Sequence, residues 1–143
     1  MGQSHTRLDT YKKIASGESP DIPYARLLDT RLVKIGDGKA TVTMDAKSPN
    51  HSNPIGKLHG GALTSLADYA MGMAYIYTLP DDEVFGTVEL KINFMRPIEN
   101  AILIAEAEVV KSGKTLGWVE CTVRTKEGAL VSRASSTCMR MKA

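Results

Sequence analysis

Asp68 stands in the run Leu66-Ala67-Asp68-Tyr69-Ala70, flanked by apolar and aromatic residues. Aspartate disfavours helix interiors and is seldom buried without a partner. A carboxylate kept among such neighbours is a candidate base or nucleophile. Eight residues earlier, His59-Gly60-Gly61 opens the same proline-free segment. A helix start offers free backbone N–H groups and partial positive charge, and glycine lets a ligand approach the backbone. This suits a carbonyl oxygen that gains negative charge during reaction. Alone, His-Gly-Gly reads more simply as a loop-to-helix turn. Gly60 and Asp68 would lie roughly 12 Å apart along a helix rising 1.5 Å per residue. One reacting carbon cannot touch both. If both act, the carboxylate comes from a second copy of the helix, which predicts a dimer with two composite sites.

The elements that must carry these residues follow from periodicity. Leu8, Tyr11 and Ile14 suggest a short surface helix over residues 5–16, within an N-terminal extension over 1–20. The remainder, 21–143, reads as one domain. Tyr24 to Ile35 is strand-like, Gly36-Asp37-Gly38-Lys39 is a hairpin signal, and Ala40–Met44 returns. Residues 46–58 form a polar, turn-rich loop, long enough to suspect function. His59 to about Thr78 is apolar on nearly every face, the mark of a buried helix. Four strands are expected after it: Phe85–Pro97, Ala101–Lys111, Leu116–Thr125 and Ala129–Met141, joined as an antiparallel meander. In the first, strict alternation sets Val88, Leu90, Ile92 and Phe94 on one face and Thr87, Glu89, Lys91 and Asn93 on the other. The class is α+β, an antiparallel sheet wrapped around a long central helix.

Composition bounds the function. The 143 residues are 43% apolar and 24% charged, with a net charge of +2. Neither a polyanion-seeking nor a disordered protein fits. The positive charge is skewed: residues 91–143 hold 9 Lys/Arg against 5 Asp/Glu, a net +4. Cys121 and Cys138 are too few for a disulfide framework and read as buried thiols in a reducing compartment. His5, His51 and His59 lack metal-ligand spacing, and no Gly-x-Ser-x-Gly elbow occurs. Met1-Gly2-Gln3-Ser4-His5 carries no signal-peptide pattern and only a weak myristoylation motif. No apolar run reaches membrane-spanning length. A cytoplasmic protein without membrane or nucleic-acid partners is expected.

The stretch Asn53-x-x-Gly56-x-x-His59-Gly60-Gly61, followed by Leu66-Ala67-Asp68, resembles the hotdog-fold thioesterases. The nearest type is that of the phenylacetate pathway, with the human thioesterase superfamily member 2 proteins. Gly86-Thr87-Val88-Glu89-Leu90 and Asn93-Phe94-Met95-Arg96-Pro97 form a second matching block, and the resemblance spans about residues 24–141. It implies hydrolysis of an acyl-CoA thioester to free acid and CoA. No metal or cofactor is implied, coenzyme A being part of the substrate. Asp68 matches the catalytic carboxylate, as nucleophile or general base. Gly60 matches the N–H that polarises the thioester carbonyl. Asn53 matches the loop asparagine that holds the carbonyl or the water, on the subunit opposite Asp68. His59 matches a residue that orients this loop or contacts the thioester. Thr87 falls where some members place a water-positioning Ser. Gly61, Arg96, Gly113 and Lys114, with Lys111, become candidate substrate contacts. The basic side chains and the Ser112-Gly113-Lys114 turn would meet the phosphates of CoA. Tyr69, Met71, Met73, Tyr75 and Tyr77 are acyl-pocket candidates, although core packing is the commoner use of such residues. The resemblance implies a homodimer at least, and by the family's habit a homotetramer. A non-catalytic protein that binds acyl-CoA or lipid is the alternative, and the retained Asp68 argues against it. A dehydratase or hydratase would carry a different His pattern before the helix.

Overall fold

The computed structural model describes residues 6–47 and 49–143. The expectations placed on Met1 to His5 lie outside the described residues. Helix α1 spans Arg7–Ser16, with Thr6 and Asp9 as a reciprocal capping box. Arg7 docks it on the body by donating to the carbonyls of Leu79 (3.2 Å) and Pro80 (2.8 Å) and to that of Glu83.

Residues 24–27 are not strand. Pro23 opens a short helix, α2 (Pro23–Leu27), behind an extended Ile22. Proline's fixed φ suits a first helical position, and it holds the preceding residue extended. Strand β1 therefore starts only at Thr30 and runs to Gly36. It pairs with β2 (Lys39–Asp45) across a two-residue turn in which Asp37 (φ 51°) and Gly38 (φ 68°) are both left-handed. This is the type I′ geometry that favours Asp-Gly.

Helix α3 (Gly60–Ile76) is the centre of the molecule. Leu66, Ala67, Ala70, Met71, Ala74 and Tyr75 are fully buried in it. It packs chiefly on β4 (Ile102–Ser112), β2 and β5 (Leu116–Thr125). The single sheet has the order β1-β2-β4-β5-β6-β3, antiparallel throughout, with β3 at Glu83–Phe94 and β6 at Leu130–Lys142. This is the hotdog arrangement. The expected four-strand meander needs correction: only β4-β5-β6 form one. Pro97 lies in the link from β3 to β4, which crosses to the side of the sheet where β4 pairs with β2 and passes the segment before α3, where Leu58 N–H meets the Ile98 carbonyl at 2.7 Å. Strand β3 thereby takes the far edge of the sheet, paired on one side with β6.

Strand β3 departs from strict alternation as well. Its register against β6 shifts between Thr87 and Glu89, leaving Val88 as a bulge. Phe85 and Thr87 face the helix before the bulge: Phe85 packs edge-to-face on Tyr75, with ring centroids 5.5 Å apart, and Thr87 reaches Asp68. Beyond it, Leu90 and Ile92 pack on the core. Thr87 thus shares their face, contrary to the alternation read from the sequence, and Val88 is exposed.

At the other end of α3, Tyr75 lies flat over Gly117 of β5. A Cβ on Gly117 would sit 2.1 Å from the Tyr75 Cε2 atom. Only glycine leaves room for this ring.

A polar pin fixes the covering segment. Asp21 accepts from Leu32 N–H and Ile22 N–H, each at 2.8 Å, and from the Tyr69 hydroxyl of α3. Burial first, and the Asp21 carboxylate second, hold the Tyr69 phenol well above its ordinary pKa. Hydrogen bonds to a carboxylate are stronger than neutral ones. Asp21→Ala is expected to cost about 2–3 kcal/mol in urea unfolding. A loss under 0.5 kcal/mol would contradict the pin.

Candidate active site

Loop 51–59 is closed by its own backbone before α3 begins. His59 N–H donates to the His51 carbonyl (2.7 Å), Asn53 N–H to that of Lys57 (2.6 Å), and Gly56 N–H to that of Asn53 (3.0 Å). The Asn53 side-chain oxygen accepts from Ile55 N–H (3.1 Å) and Lys57 N–H (2.9 Å). Those two donors fix which way the amide faces. The NH2 group of Asn53 keeps no partner among the described residues and remains a donor.

His59 caps α3. Its Nδ1 accepts from Gly61 N–H at 2.8 Å, so the neutral ring carries its proton on Nε2. The His59 carbonyl takes the N–H groups of Ala62 (3.0 Å) and Leu63 (3.3 Å). Of the first four N–H groups of the helix, three are therefore used. Among the described residues only that of Gly60 has no acceptor. Gly61 N–H, also expected to serve substrate, is committed to the cap.

Gly60 forms part of the wall of a cleft of about 380 Å³, with Asn53 beside it and Leu58, Leu63, Phe94 and Ile98 supplying apolar surface. The Phe94 ring lies close over Gly60, where a Cβ would meet its Cζ at 3.1 Å. Lys57 and Arg96 are the cations of the cleft. Lys57 is paired with Glu99 at 2.7 Å. Arg96 has no ion pair among the described residues.

Asp68 sits half-buried two turns further along α3. Its Oδ1 accepts from the Thr87 hydroxyl at 3.1 Å, and its Oδ2 has no partner among the described residues. Cys138, opposite Thr87 in β6, lies beneath this pair, fully buried. Burial raises its thiol pKa, and pushes that of Cys121 up to about 12. Neither thiol is poised as a nucleophile.

The structure does not bring every candidate together. Asn53, Gly60 and Arg96 share the cleft, whereas Asp68 and Thr87 form a separate pair. Gly113 and Lys114 belong to the opposite end of α3, where Ser112 meets Thr78 (3.2 Å) and Arg140 holds the Gly113 carbonyl (2.9 Å). Gly113 N–H is used by the Leu116 carbonyl at 2.8 Å and is not free for a phosphate. Tyr75, Met71 and Met73 are core. Sequence reasoning missed the buried His51 and the Phe94 ring over Gly60. For His51 the available signal was its place two residues before Asn53. Among the described residues no cluster of His, Cys, Asp and Glu could hold a metal ion, and no helix is long and apolar enough to cross a membrane.

The wrapped sheet and its helix place the protein in the hotdog class. The chain belongs to the Thioesterase superfamily, which it matches over residues 55–132. It is 31% identical to human acyl-coenzyme A thioesterase 13 over 109 residues, 74% of this chain and 76% of that protein. A thioesterase family protein from Silicibacter pomeroyi superposes with a TM-score of 0.82 at 25% identity, covering 93% of this chain and 99% of the other. The E. coli PaaI protein from the phenylacetic acid degradation operon shares the fold, with a TM-score of 0.81 at 24% identity over 93% of this chain and 94% of the other.

Proposed function

We propose that the protein hydrolyses acyl-CoA thioesters at a site assembled from two chains. The observation that carries this reading is the unpaired Gly60 N–H at the wall of an apolar cleft, at the positive end of a buried helix. A thioester carbonyl accepts from it, and the Asn53 amide is the second donor. Negative charge developing on that oxygen is met by fixed dipoles. Asp68 of the other chain attacks the carbonyl carbon or takes a proton from the attacking water. Collapse of the adduct breaks the C–S bond and expels CoA thiolate. When water attacks, the product is the free acid. When Asp68 attacks, an acyl-aspartyl anhydride is left that a water molecule then cleaves to the free acid and the Asp68 carboxylate. Thr87 donates to Oδ1 and leaves Oδ2 for the reaction. Arg96 supplies positive charge for a CoA phosphate.

The free edge of β3 supports the two-chain reading. It is twelve residues long and carries exposed Val88 and Phe94. Unpaired edges invite pairing with another chain. Two β3 edges, antiparallel about Leu90–Lys91, would set Thr87 of one opposite Phe94 of the other. That joins Asp68 to the second chain's Gly60 cleft.

Mixed subunits test the arrangement. Asp68→Asn and Asn53→Ala chains, each inactive alone, should recover about a quarter of wild-type thiol release when randomly mixed, because each mixed dimer keeps one whole site. No recovery would place both groups in one chain. Binding of acyl-CoA without any turnover by wild type would replace the enzyme reading by a carrier.

Thr87→Val is expected to lower kcat about tenfold, the worth of one hydrogen bond to a charged group. Thr87→Ser should restore most of it. Equal rates for Val and wild type would make Thr87 a plain strand residue.

A further inference from the structure

His51 closes the 3-10 turn Pro49–His51 at the base of the loop that carries Asn53. Only 4% of its surface is exposed, and among the described residues neither ring nitrogen has a hydrogen-bond partner. Buried polar groups are nearly always satisfied, so an unpaired imidazole calls for an explanation. The carboxylate facing it belongs to Asp29: His51 Nε2 lies 3.8 Å from Asp29 Oδ2.

Asp29 is unusual in its own right. Its φ is +52°, a left-handed conformation that non-glycine residues adopt rarely, although Asp and Asn do so more readily than most. Its backbone is held on both sides: the N–H donates to the Arg26 carbonyl (3.3 Å), and the carbonyl accepts from Asp45 N–H (3.2 Å). Two energetically costly features, an unsatisfied buried ring and a left-handed acid, thus meet at one contact. Such costs persist where surrounding structure over-determines them, often beside functional sites.

The main chain of His51 leads directly to the proposed site. Its carbonyl holds His59 N–H at 2.7 Å, and the next N–H along the chain is the unpaired one of Gly60. Asn53 is two residues away on the other arm of the loop. We infer that His51 and Asp29 form a strut between the α2–β1 junction and the loop, and that this strut sets the positions of the Gly60 and Asn53 donors. His51 is a positioning residue: it acts through His59 and the loop backbone. The kinetic part of this inference rests on the thioesterase reading; its structural part does not.

The test uses the full chain and four variants. His51→Leu keeps bulk without nitrogen, His51→Gln keeps a donor, and Asp29→Asn keeps the left-handed backbone while removing charge. The fourth combines His51→Leu with Asp29→Asn. Amide hydrogen exchange at His59 and the amide shift of Gly60 are read in free protein. Thiol release from an acyl-CoA that wild type turns over gives kcat and KM. Faster exchange at His59 and a moved Gly60 resonance are expected in His51→Leu and Asp29→Asn, with an unchanged Tm in Asp29→Asn. A tenfold lower kcat at a KM within twofold should accompany them, with His51→Gln within threefold of wild type. The double variant should be no slower than His51→Leu, because one strut is broken once. Unchanged His59 exchange in both single variants overturns the strut, and so do independent, multiplying losses in the double variant. A wild type without turnover removes the thioesterase reading, while the exchange data still decide the strut.

Discussion

Asp68→Asn leaves the protein folded and lowers kcat for thioester hydrolysis by about 10²- to 10⁴-fold, the range expected for a positioned base. The substitution is nearly isosteric. The asparagine oxygen still accepts from the Thr87 hydroxyl, now 3.1 Å from Oδ1. Asp68 is half-buried and has no cationic partner among the described residues, so losing its charge strands no buried cation. Stability should therefore change by less than about 1 kcal/mol. What disappears is the open Oδ2 oxygen, the group able to take a proton or attack carbon. KM should stay within a few-fold, because the cleft at Gly60 and Arg96 lies elsewhere on the chain. Thiol release with several acyl-CoA esters, beside a thermal melt, checks both halves. An undiminished rate would remove Asp68 from the chemistry. A collapsed melt would show that the carboxylate holds the fold instead.

Gly117→Ala is the largest expected stability effect. The new Cβ would lie 2.1 Å from Cε2 and 2.4 Å from Cζ of Tyr75. Tyr75 is fully buried and packed on Phe85, so its ring has no easy retreat. Overpacking of this kind costs about 3 kcal/mol, or roughly 10 °C in Tm for a chain of this length. Shortening Tyr75 to Leu in the Gly117→Ala background should return part of the loss, since the two positions share one space. Additive losses from the two changes would mean that the ring does not oppose the Cβ. A melt within 2 °C of wild type for Gly117→Ala would contradict the packing outright.

Much of this architecture was legible in the sequence because its signals are local. The Asp37-Gly38 turn, the all-round apolar run of α3 and the turns that bound β4, β5 and β6 depend on neighbouring residues alone. The helix start at Gly60 was legible for the same reason. Where the reading failed, a distant contact or a single backbone irregularity decided. Pro23 turned an apolar stretch into helix. The strand order depended on where the link through Pro97 crosses the helix, which no local pattern encodes. The bulge at Val88 left the composition of β3 ordinary while turning Thr87 toward Asp68. At the site, residue types pointed to Asp68 and Gly60, and the family resemblance added Asn53. Which N–H stays unpaired was not readable, because it depends on the His59 ring taking that of Gly61. Gly113 shows the converse: its turn looked open to a phosphate, yet its N–H closes the turn.

The extra residue in β3 gives that strand two reading frames. Before Val88 the odd-numbered positions face the helix, and after it the even-numbered ones do. The half that supports the carboxylate and the half that floors the cleft are thus set out of phase by one residue. A deletion at Val88 would remove only the extra residue: Thr87 and Glu89 already face neighbouring residues of β6, Cys138 and Thr137, so Phe85, Thr87, Leu90 and Ile92 would alternate regularly and keep one inner face. A residue lost from the regular stretches, at Gly86 or Lys91, would instead set two inner residues side by side and turn one row outward. Change in length is thereby tolerated at the bulge and barred on each side of it. The bulge is where the count between the acid and the cleft can change without turning either row over.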